Sequence, residues 1–249
     1  MSPLAFVPHA VPLVPGRLLG RRQRFFADVR LDDGREVVAH CVNTGRMEGL
    51  IEAGRRVYLS PARPERKLAY TWELLELDGT LLGVNTLMAN RLVGAALEAK
   101  VLPGLRRYSE LRREYPYAER SRVDFHLSTK SRQHFVEVKN CHLVYPDGFG
   151  YFPDAPSERG RRHLDELATL TRQSHSASVI FTVQRTGARG VRPSDLHDPL
   201  LARAARRASR AGVRFRALEI EPTLLGYRVE RELPVDLEPY DTELLKRLS

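Results

Sequence analysis

The stretch SRVDFHLSTKSRQHFVEVKN at residues 121–140 reads as two β-strands joined by a short turn. Apolar and polar residues alternate in both halves, which is the pattern of strands whose two faces differ in their surroundings. The alternation predicts a hairpin that is symmetric about residues 130 and 131. Its apolar face is predicted to hold Val123, Phe125 and Leu127 from the first strand, with Val136 and Val138 from the second.

Three chemically active side chains fall on the opposite, polar face of this hairpin. Asp124 is predicted to face Glu137 directly, and like charges so placed destabilise a sheet unless something neutralises them. Mg²⁺ would do so, because it prefers hard oxygen ligands and takes one or two carboxylates, and the backbone carbonyl of Val138 could add a ligand. Lys139 would then orient an attacking water or stabilise charge on a phosphorane-like transition state.

The same charges also permit a reading without a metal. In this register Arg122 lies diagonal to Glu137 and Lys139 lies diagonal to Asp124, so the four side chains could form an exposed lattice of ion pairs. Such surface pairs contribute only about 0 to 1 kcal/mol each. The strand pattern alone leaves both interpretations open.

The rest of the chain divides into two regions at Asn85. Residues 17–84 contain about five short strands separated by turns, which predicts a small Greek-key β-barrel of the oligonucleotide-binding (OB) type, with a small sandwich as the alternative. Asn85 is the predicted N-cap of a helix, and strands alternate with helices from there to the end. We therefore predict a mixed α/β (α+β) chain: a barrel domain at 1–84, and a domain at 85–249 with a mixed sheet flanked by helices.

Composition favours an anionic partner. The 249 residues carry a formal net charge of +9, of which residues 1–84 contribute only +2. The more basic second region is therefore the better candidate for binding nucleic acid. The two cysteines lie 100 residues apart without metal-binding spacing, which predicts a reduced, cytoplasmic protein. No apolar run is long enough to span a membrane, so no membrane partner is expected.

Several separated stretches of the chain carry a family resemblance: HCVNTGRMEG at 40–49, TWELLEL at 71–77, VNTLMANRL at 84–92, ERSRVDF at 119–125, VEVKN at 136–140 and YFPDAPSERGRRHLDEL at 151–167. Together they resemble the sugar fermentation stimulation protein A family. That resemblance implies an OB-type N-terminal domain joined to a PD-(D/E)xK, restriction-endonuclease-like domain, DNA binding with little sequence preference, and a regulatory link to sugar catabolism. Val42 and Tyr117 stand where the family commonly has proline and glycine.

The resemblance also implies a set of site residues. Its nuclease motif falls on Asp124, Glu137 and Lys139, the three residues reached from the alternation. Related nucleases add a further acidic ligand, for which Glu119 is ranked first and Glu98 second.

The helix predicted near 157–172 begins with a cluster of basic residues. Ser157 can cap this helix, and Glu158 suits its positive end. The functional interpretation is that the cluster contacts phosphates near the metal, since helix N-termini and arginines both favour anions. The predicted nucleic-acid contacts are Arg122, Arg159, Arg161, Arg162 and His163; in the barrel, Phe25, Phe26, Tyr58, Tyr70 and Trp72 are candidates for base stacking or for the core.

Three functions follow as hypotheses. The first is a DNA-binding protein with a phosphodiesterase site that depends on Mg²⁺ or Mn²⁺. The second is a non-catalytic DNA-binding regulator that uses the same fold. The third, an OB-type sugar-binding module, fits the distribution of positive charge less well. The oligomeric state is not predicted.

Overall fold

The computed structural model describes residues 3–63, 65–118 and 121–246, which form sheets of six and seven strands and a small third sheet. The strands are, in chain order, β1 (Ala5–Pro8), β2 (Val14–Arg22), β3 (Phe26–Leu31), β4 (Glu36–His40), β5 (Arg56–Pro61), β6 (Tyr70–Leu77), β7 (Thr80–Gly83), β8 (Glu110–Ala118), β9 (Ser121–Ser128), β10 (Gln133–Cys141), β11 (Leu143–Val144), β12 (Phe149–Phe152), β13 (Ser176–Val183), β14 (Gly190–Pro193), β15 (Arg214–Pro222) and β16 (Gly226–Leu233). The helices are α1 (Met88–Glu98), α2 (Glu158–Arg172), α3 (Pro199–Arg210) and α4 (Thr242–Lys246).

The first unit is a closed barrel, as predicted. Its strands run in the order β4-β3-β2-β5-β6-β7, and β4 also pairs in parallel with β6. That pairing closes the five strands from β2 to β6 into a barrel. Closure removes the exposed strand edges that a small sandwich would keep. The barrel is filled by Trp72, whose side chain is fully buried and donates from Nε1 to the Leu74 carbonyl at 2.8 Å. Phe25, another predicted base-stacking residue, is instead about half exposed.

The second unit is a mixed sheet in the order β1-β16-β15-β13-β10-β9-β8. Its centre is parallel, because β13 pairs in parallel with both β10 and β15, while the outer pairs are antiparallel. The first strand, β1, precedes the barrel in the sequence but pairs with β16, so the second sheet takes in a strand from the chain's beginning. The third sheet, β11-β12-β14, lies beside it.

Helices cover both faces of the seven-stranded sheet and create two hydrophobic cores. The first core lies under α1 and includes Leu92, Leu97, Phe125, Val138 and Ile220. The second core lies under α2 and α3 and includes Leu164, Leu167, Val179, Phe181 and Ala205. The central strands are therefore buried on both sides, as is usual where a sheet contains parallel strands.

The starts of the helices test two predicted caps. Ser157 caps α2 as predicted, because its Oγ accepts a hydrogen bond from Gly160 N at 3.0 Å. The prediction for Asn85 is wrong, since α1 begins only at Met88. Asn85 instead donates to the buried carboxylate of Glu73 at 2.9 Å and accepts from Leu87 N at 3.0 Å. None of the described helices is long and apolar enough to cross a membrane.

Hydrogen bonds that involve backbone atoms join the barrel to the second unit. Gly83 N, at the end of β7, donates to Gln184 O at 2.8 Å, and its carbonyl lies 2.8 Å from His142 Nε2. In the VNTG loop, Arg46 N donates to Asp154 Oδ2 at 3.0 Å. The bond between Arg46 and Asp154 fixes the loop that follows β4 against the segment between β12 and α2.

Gly45 is expected to be required for this loop contact. A Cβ at position 45 would lie 2.3 Å from Asp154 Oδ2, so Gly45→Ala should displace the carboxylate and break its bond to Arg46. We expect the free energy of unfolding to fall by about 1 to 2 kcal/mol, measured by urea denaturation. Gly20→Ala is the matched control, because nothing lies within 4 Å of a Cβ there. Equal stability of the two variants would contradict the importance of the contact.

Candidate metal centre

The candidate site lies where β9 and β10 stop pairing. The two strands are antiparallel, and Phe135 opposes His126, which confirms the predicted register. The last pair joins Val136 to Phe125, so the predicted direct pairing of Asp124 with Glu137 is wrong. At the next position Val138 N donates to Asp124 Oδ2 at 2.6 Å. The aspartate side chain thus replaces a backbone partner at the end of the ladder.

Asp124 also faces a different direction from the one predicted. Phe125 and Leu127 belong to the first core, whereas Val123 belongs to the second, so the prediction that these three residues share a face is wrong. The residue of β8 opposite Asp124 is Glu114, whose φ of 50° interrupts the regular strand there. Asp124 Oδ1 accepts a hydrogen bond from Asn90 Nδ2, in α1, at 2.7 Å.

Glu137 is buried beneath α2. Its Oε1 accepts hydrogen bonds from Lys139 Nζ and from His163 Nδ1, each at 2.6 Å. The Glu137 side chain is only 5% exposed and that of Lys139 17%, so the exposed ion-pair lattice considered as an alternative does not form. Phe135, two residues before Glu137 in β10, lies in the second core. The face predicted to be polar is therefore a second buried layer.

The electrostatics show that the two carboxylates repel each other. Burial and the negative charge of Glu137 raise the pKa of Asp124 to about 6, although the hydrogen bonds from Val138 and Asn90 act in the opposite direction. Burial also tends to raise the pKa of Glu137, but the hydrogen bond from His163 and the charge of Lys139 outweigh it and hold that pKa below its usual value. Glu137 is thus the stabilised anion, and Asp124 lacks a full positive counter-charge.

Three groups could supply oxygen ligands to a divalent cation here. Both hydrogen bonds to Glu137 fall on Oε1, and no described residue donates to Oε2. The Val138 carbonyl points to the same side of its strand as its N–H, which is the side of Asp124. No three His, Cys, Asp or Glu side chains among the described residues form a metal cluster. Two carboxylates and one carbonyl suit Mg²⁺, which keeps several positions for water and phosphate oxygens.

The third acidic ligand implied by the resemblance is not found among the described residues. Glu119, ranked first, lies outside the described residues. Glu98 lies at the end of α1, two turns from Asn90, and pairs with the exposed Arg113 at 2.7 Å. Glu98 is thus held by another partner.

The predicted nucleic-acid contacts are placed in different surroundings. Arg161 pairs with the buried Asp198 at 3.1 Å, and Arg162 lies 3.8 Å from Glu166 on the next helical turn. His163 is buried and bonds Glu137, while Arg159 Nε lies 3.4 Å from the other nitrogen of that imidazole, Nε2. Arg122 is exposed. Their contacts with nucleic acid stay a prediction.

The contact between Asn90 and Asp124 and the bond between His163 and Glu137 were not predicted from the sequence. Asn90 is 34 residues from Asp124, so no local spacing could indicate the contact. The only signal was its place inside VNTLMANRL, one of the stretches that carry the family resemblance.

Comparison with known proteins matches both units of the chain. Residues 19–84 match the SfsA N-terminal OB domain, and residues 87–225 match the sugar fermentation stimulation protein RE domain. The chain belongs to the sugar fermentation stimulation protein family. Together the two matches cover the barrel and most of the second unit, and both the resemblance seen in the sequence and the predicted fold class are confirmed.

Relatives in this family are similar along nearly the whole chain. The sugar fermentation stimulation protein homologue of Thioalkalivibrio sulfidiphilus is 45% identical over 227 residues, which cover 90% of this chain and 96% of that one. The homologue of Caulobacter vibrioides is 42% identical, covering 89% and 94%. Pyrococcus furiosus SfsA, solved in complex with Ca²⁺, superposes with a TM-score of 0.83 at 30% identity, covering 93% of this chain and 99% of that one.

Proposed function

We propose that this protein binds nucleic acid, most suitably DNA, and hydrolyses its phosphodiester bonds with Mg²⁺ or Mn²⁺. The observation that carries the proposal is that Asp124 Oδ2 accepts a hydrogen bond from Val138 N, the residue between Glu137 and Lys139, whose side chains bond each other. The two carboxylates repel each other, and a dication between them would remove that repulsion. The Ca²⁺ in the structure of the Pyrococcus furiosus relative supports a divalent-cation site in this family.

Each side chain of such a site would have a distinct role. Asp124, Glu137 and the Val138 carbonyl would hold the cation, which when bound polarises a phosphoryl oxygen and lowers the pKa of its water. Asn90 holds Asp124 from α1, and His163 holds Glu137 from α2, so neither carboxylate needs to reorganise. Lys139 places an ammonium beside Glu137, where it can stabilise negative charge developing on the phosphate.

A groove between the two units supplies a surface for the nucleic acid. It has a volume of about 840 Å³ and lies between the barrel, the loop after β5 and the start of α1. None of its four arginine and lysine side chains forms an ion pair with the part of the chain that the structure describes, and Leu87 on its wall is 66% exposed. Unpaired cations suit phosphates, and exposed apolar side chains suit bases. The four are Arg63, Arg66, Lys67 and Arg91.

One observation favours the second candidate, a DNA-binding regulator without catalysis. Glu137 and Lys139 are buried and already bonded to each other, so the pair could serve the fold alone. Both proposals expect the protein to bind nucleic acid, but only the first expects it to cleave nucleic acid. A direct assay for cleavage therefore separates them.

Lys139→Met is the variant that tests the proposed function. Lys139 lines a small apolar cavity with Phe152 and Phe181, so a methionine can fill the space of its stem while removing the charge. Wild-type protein is expected to cut nucleic acid with Mg²⁺ or Mn²⁺ and not with EDTA, and the variant to cut about 10²- to 10³-fold more slowly. Single-stranded, duplex and branched DNA, and RNA, are tested in parallel.

The matched control is Lys130→Met, because Lys130 lies exposed in the turn between β9 and β10. Its cleavage rate should equal that of the wild type. Binding to all four nucleic acids without product for any metal would defeat the catalytic proposal and leave the regulator.

A further inference from the structure

A second concave surface lies at the other end of β9 and β10, away from the candidate metal centre. We call it the arginine pocket. It has a volume of about 510 Å³, within the range of small-molecule sites. Its walls are the loop 103–108 after α1, the turn 128–133 between the two strands, and the first residues of β13 and β15.

The charge of the arginine pocket is of one sign. Arg106, Arg107, Arg132 and Arg214 line it, and no acidic residue does so among the described lining residues. None of these four side chains forms a salt bridge within residues 3–63, 65–118 and 121–246. Neighbouring arginines behave differently, since Arg216 pairs with Glu232 at 3.0 Å. The four guanidinium groups are therefore available to an anion.

Local hydrogen bonds hold the walls of the pocket in place. Thr129 N donates to Arg132 O at 2.9 Å, and its Oγ1 accepts from Arg132 N at 3.1 Å, which closes the turn that presents the Arg132 side chain. On the opposite wall, Arg106 Nη2 donates to the Val101 carbonyl at 2.9 Å. These bonds fix the backbone that carries Arg132 and the side chain of Arg106, which reduces the entropic cost of binding.

The pocket wall also contains a half-buried histidine. His134 Nε2 lies 2.9 Å from Ser178 Oγ. Burial, together with the charges of Arg214 and Arg216, lowers the pKa of His134 to about 4. The imidazole is therefore neutral at pH 7, and the positive charge belongs to the arginines.

We propose that the arginine pocket binds a small oligophosphate: pyrophosphate, either free or as the phosphate chain of a nucleoside di- or triphosphate. Two linked phosphates carry about three to four negative charges, which matches four guanidinium groups that can each bind oxygens in pairs. Tyr108, the tyrosine of the wall, is not free to stack on a base. It donates to the Leu97 carbonyl at 2.7 Å, and its ring lies under Lys100. Recognition is therefore of the phosphates and is independent of the base.

Calorimetric titration with pyrophosphate in EDTA tests this proposal without involving the candidate metal centre. Wild-type protein is expected to bind pyrophosphate and ATP with similar affinity, and sulfate at least about tenfold more weakly. The double variant Arg132→Gln/Arg214→Gln should lose about 30-fold or more in pyrophosphate affinity, because two of the four guanidinium groups are removed. Both side chains are exposed, so their replacement should leave the fold unchanged. Circular dichroism checks that the variant is folded.

The matched control is Arg46→Gln/Arg203→Gln, which removes two exposed arginines that line neither the arginine pocket nor the groove. Its affinity for pyrophosphate should equal that of the wild type. Three results would overturn the proposal: no binding of pyrophosphate at millimolar concentration, equal loss in both double variants, or displacement of pyrophosphate by a 20-nucleotide strand at stoichiometric concentration. The last would assign the pocket to the path of nucleic acid.

Discussion

Glutamine in place of Glu137 is expected to reduce metal-dependent cleavage of nucleic acid by a factor of about 10³ or more. The amide oxygen can still accept the hydrogen bonds from His163 and Lys139 that the Glu137 carboxylate accepts, so the local structure is retained. What disappears is the negative charge that would hold the cation. Cleavage is measured with Mg²⁺ and with Mn²⁺, and binding is measured in EDTA, where we expect a change of no more than about twofold.

Glu98→Gln is the control for this variant. Glu98 is also an acidic residue of the second unit, but it is exposed and paired with Arg113, away from Asp124. Its variant should cleave like the wild type. Cleavage by Glu137→Gln at a rate close to that of the wild type, in protein free of contaminating nuclease, would exclude Glu137 as a metal ligand.

Asparagine in place of Asp124 is expected to stabilise the metal-free protein. The pKa of Asp124 is about 6 in the fold against an ordinary value of 3.8, so the folded state disfavours its ionised form. The resulting penalty is absent below about pH 4, grows as the pH rises toward 6 and is complete above it. Two units of pKa correspond to about 2 to 3 kcal/mol, and the variant should gain an amount of that order at pH 8.

The hydrogen bonds at this position can survive the substitution. The new amide oxygen can accept from Val138 N, and its nitrogen can donate to Asn90 once the Asn90 side-chain amide turns over. The free energy of unfolding is measured in EDTA at pH 4 and at pH 8, with and without Mg²⁺. Mg²⁺ should stabilise the wild type and leave the variant unchanged. A variant less stable than the wild type at pH 8 would contradict the repulsion between Asp124 and Glu137.

Glu98→Gln again provides the comparison. This exposed carboxylate contributes to a surface ion pair, so its loss should change stability by less than about 0.5 kcal/mol at either pH. A stabilising effect confined to Asp124→Asn would therefore reflect its burial beside a second negative charge.

The register of β9 and β10 was predictable because a strand repeats every two residues and a short turn leaves few ways to pair its flanks. The predicted opposition of positions 126 and 135 is the one observed. The helix that begins at Glu158 was also evident, since its cap at Ser157 is a local property of the sequence. The barrel followed from its closely spaced turns.

The details of the site depend on contacts that no local pattern contains. The bond from Asn90 of α1 to Asp124 joins distant parts of the chain, and the left-handed φ of Glu114 opposite Asp124 has no signal in the β9 sequence. The burial of Phe135 and Glu137 results from α2, which the chain brings over the sheet after further strands. Alternation in β10 correctly separated two faces but could not show that both are covered.

The most direct test of a shared cation site is anomalous diffraction from crystals grown with Mn²⁺. One strong peak is expected at coordination distance from carboxylate oxygens of both Asp124 and Glu137, and it should be lost in crystals of Glu137→Gln. A peak that contacts only one of the two carboxylates, or no peak near either at saturating Mn²⁺, would contradict a shared cation site.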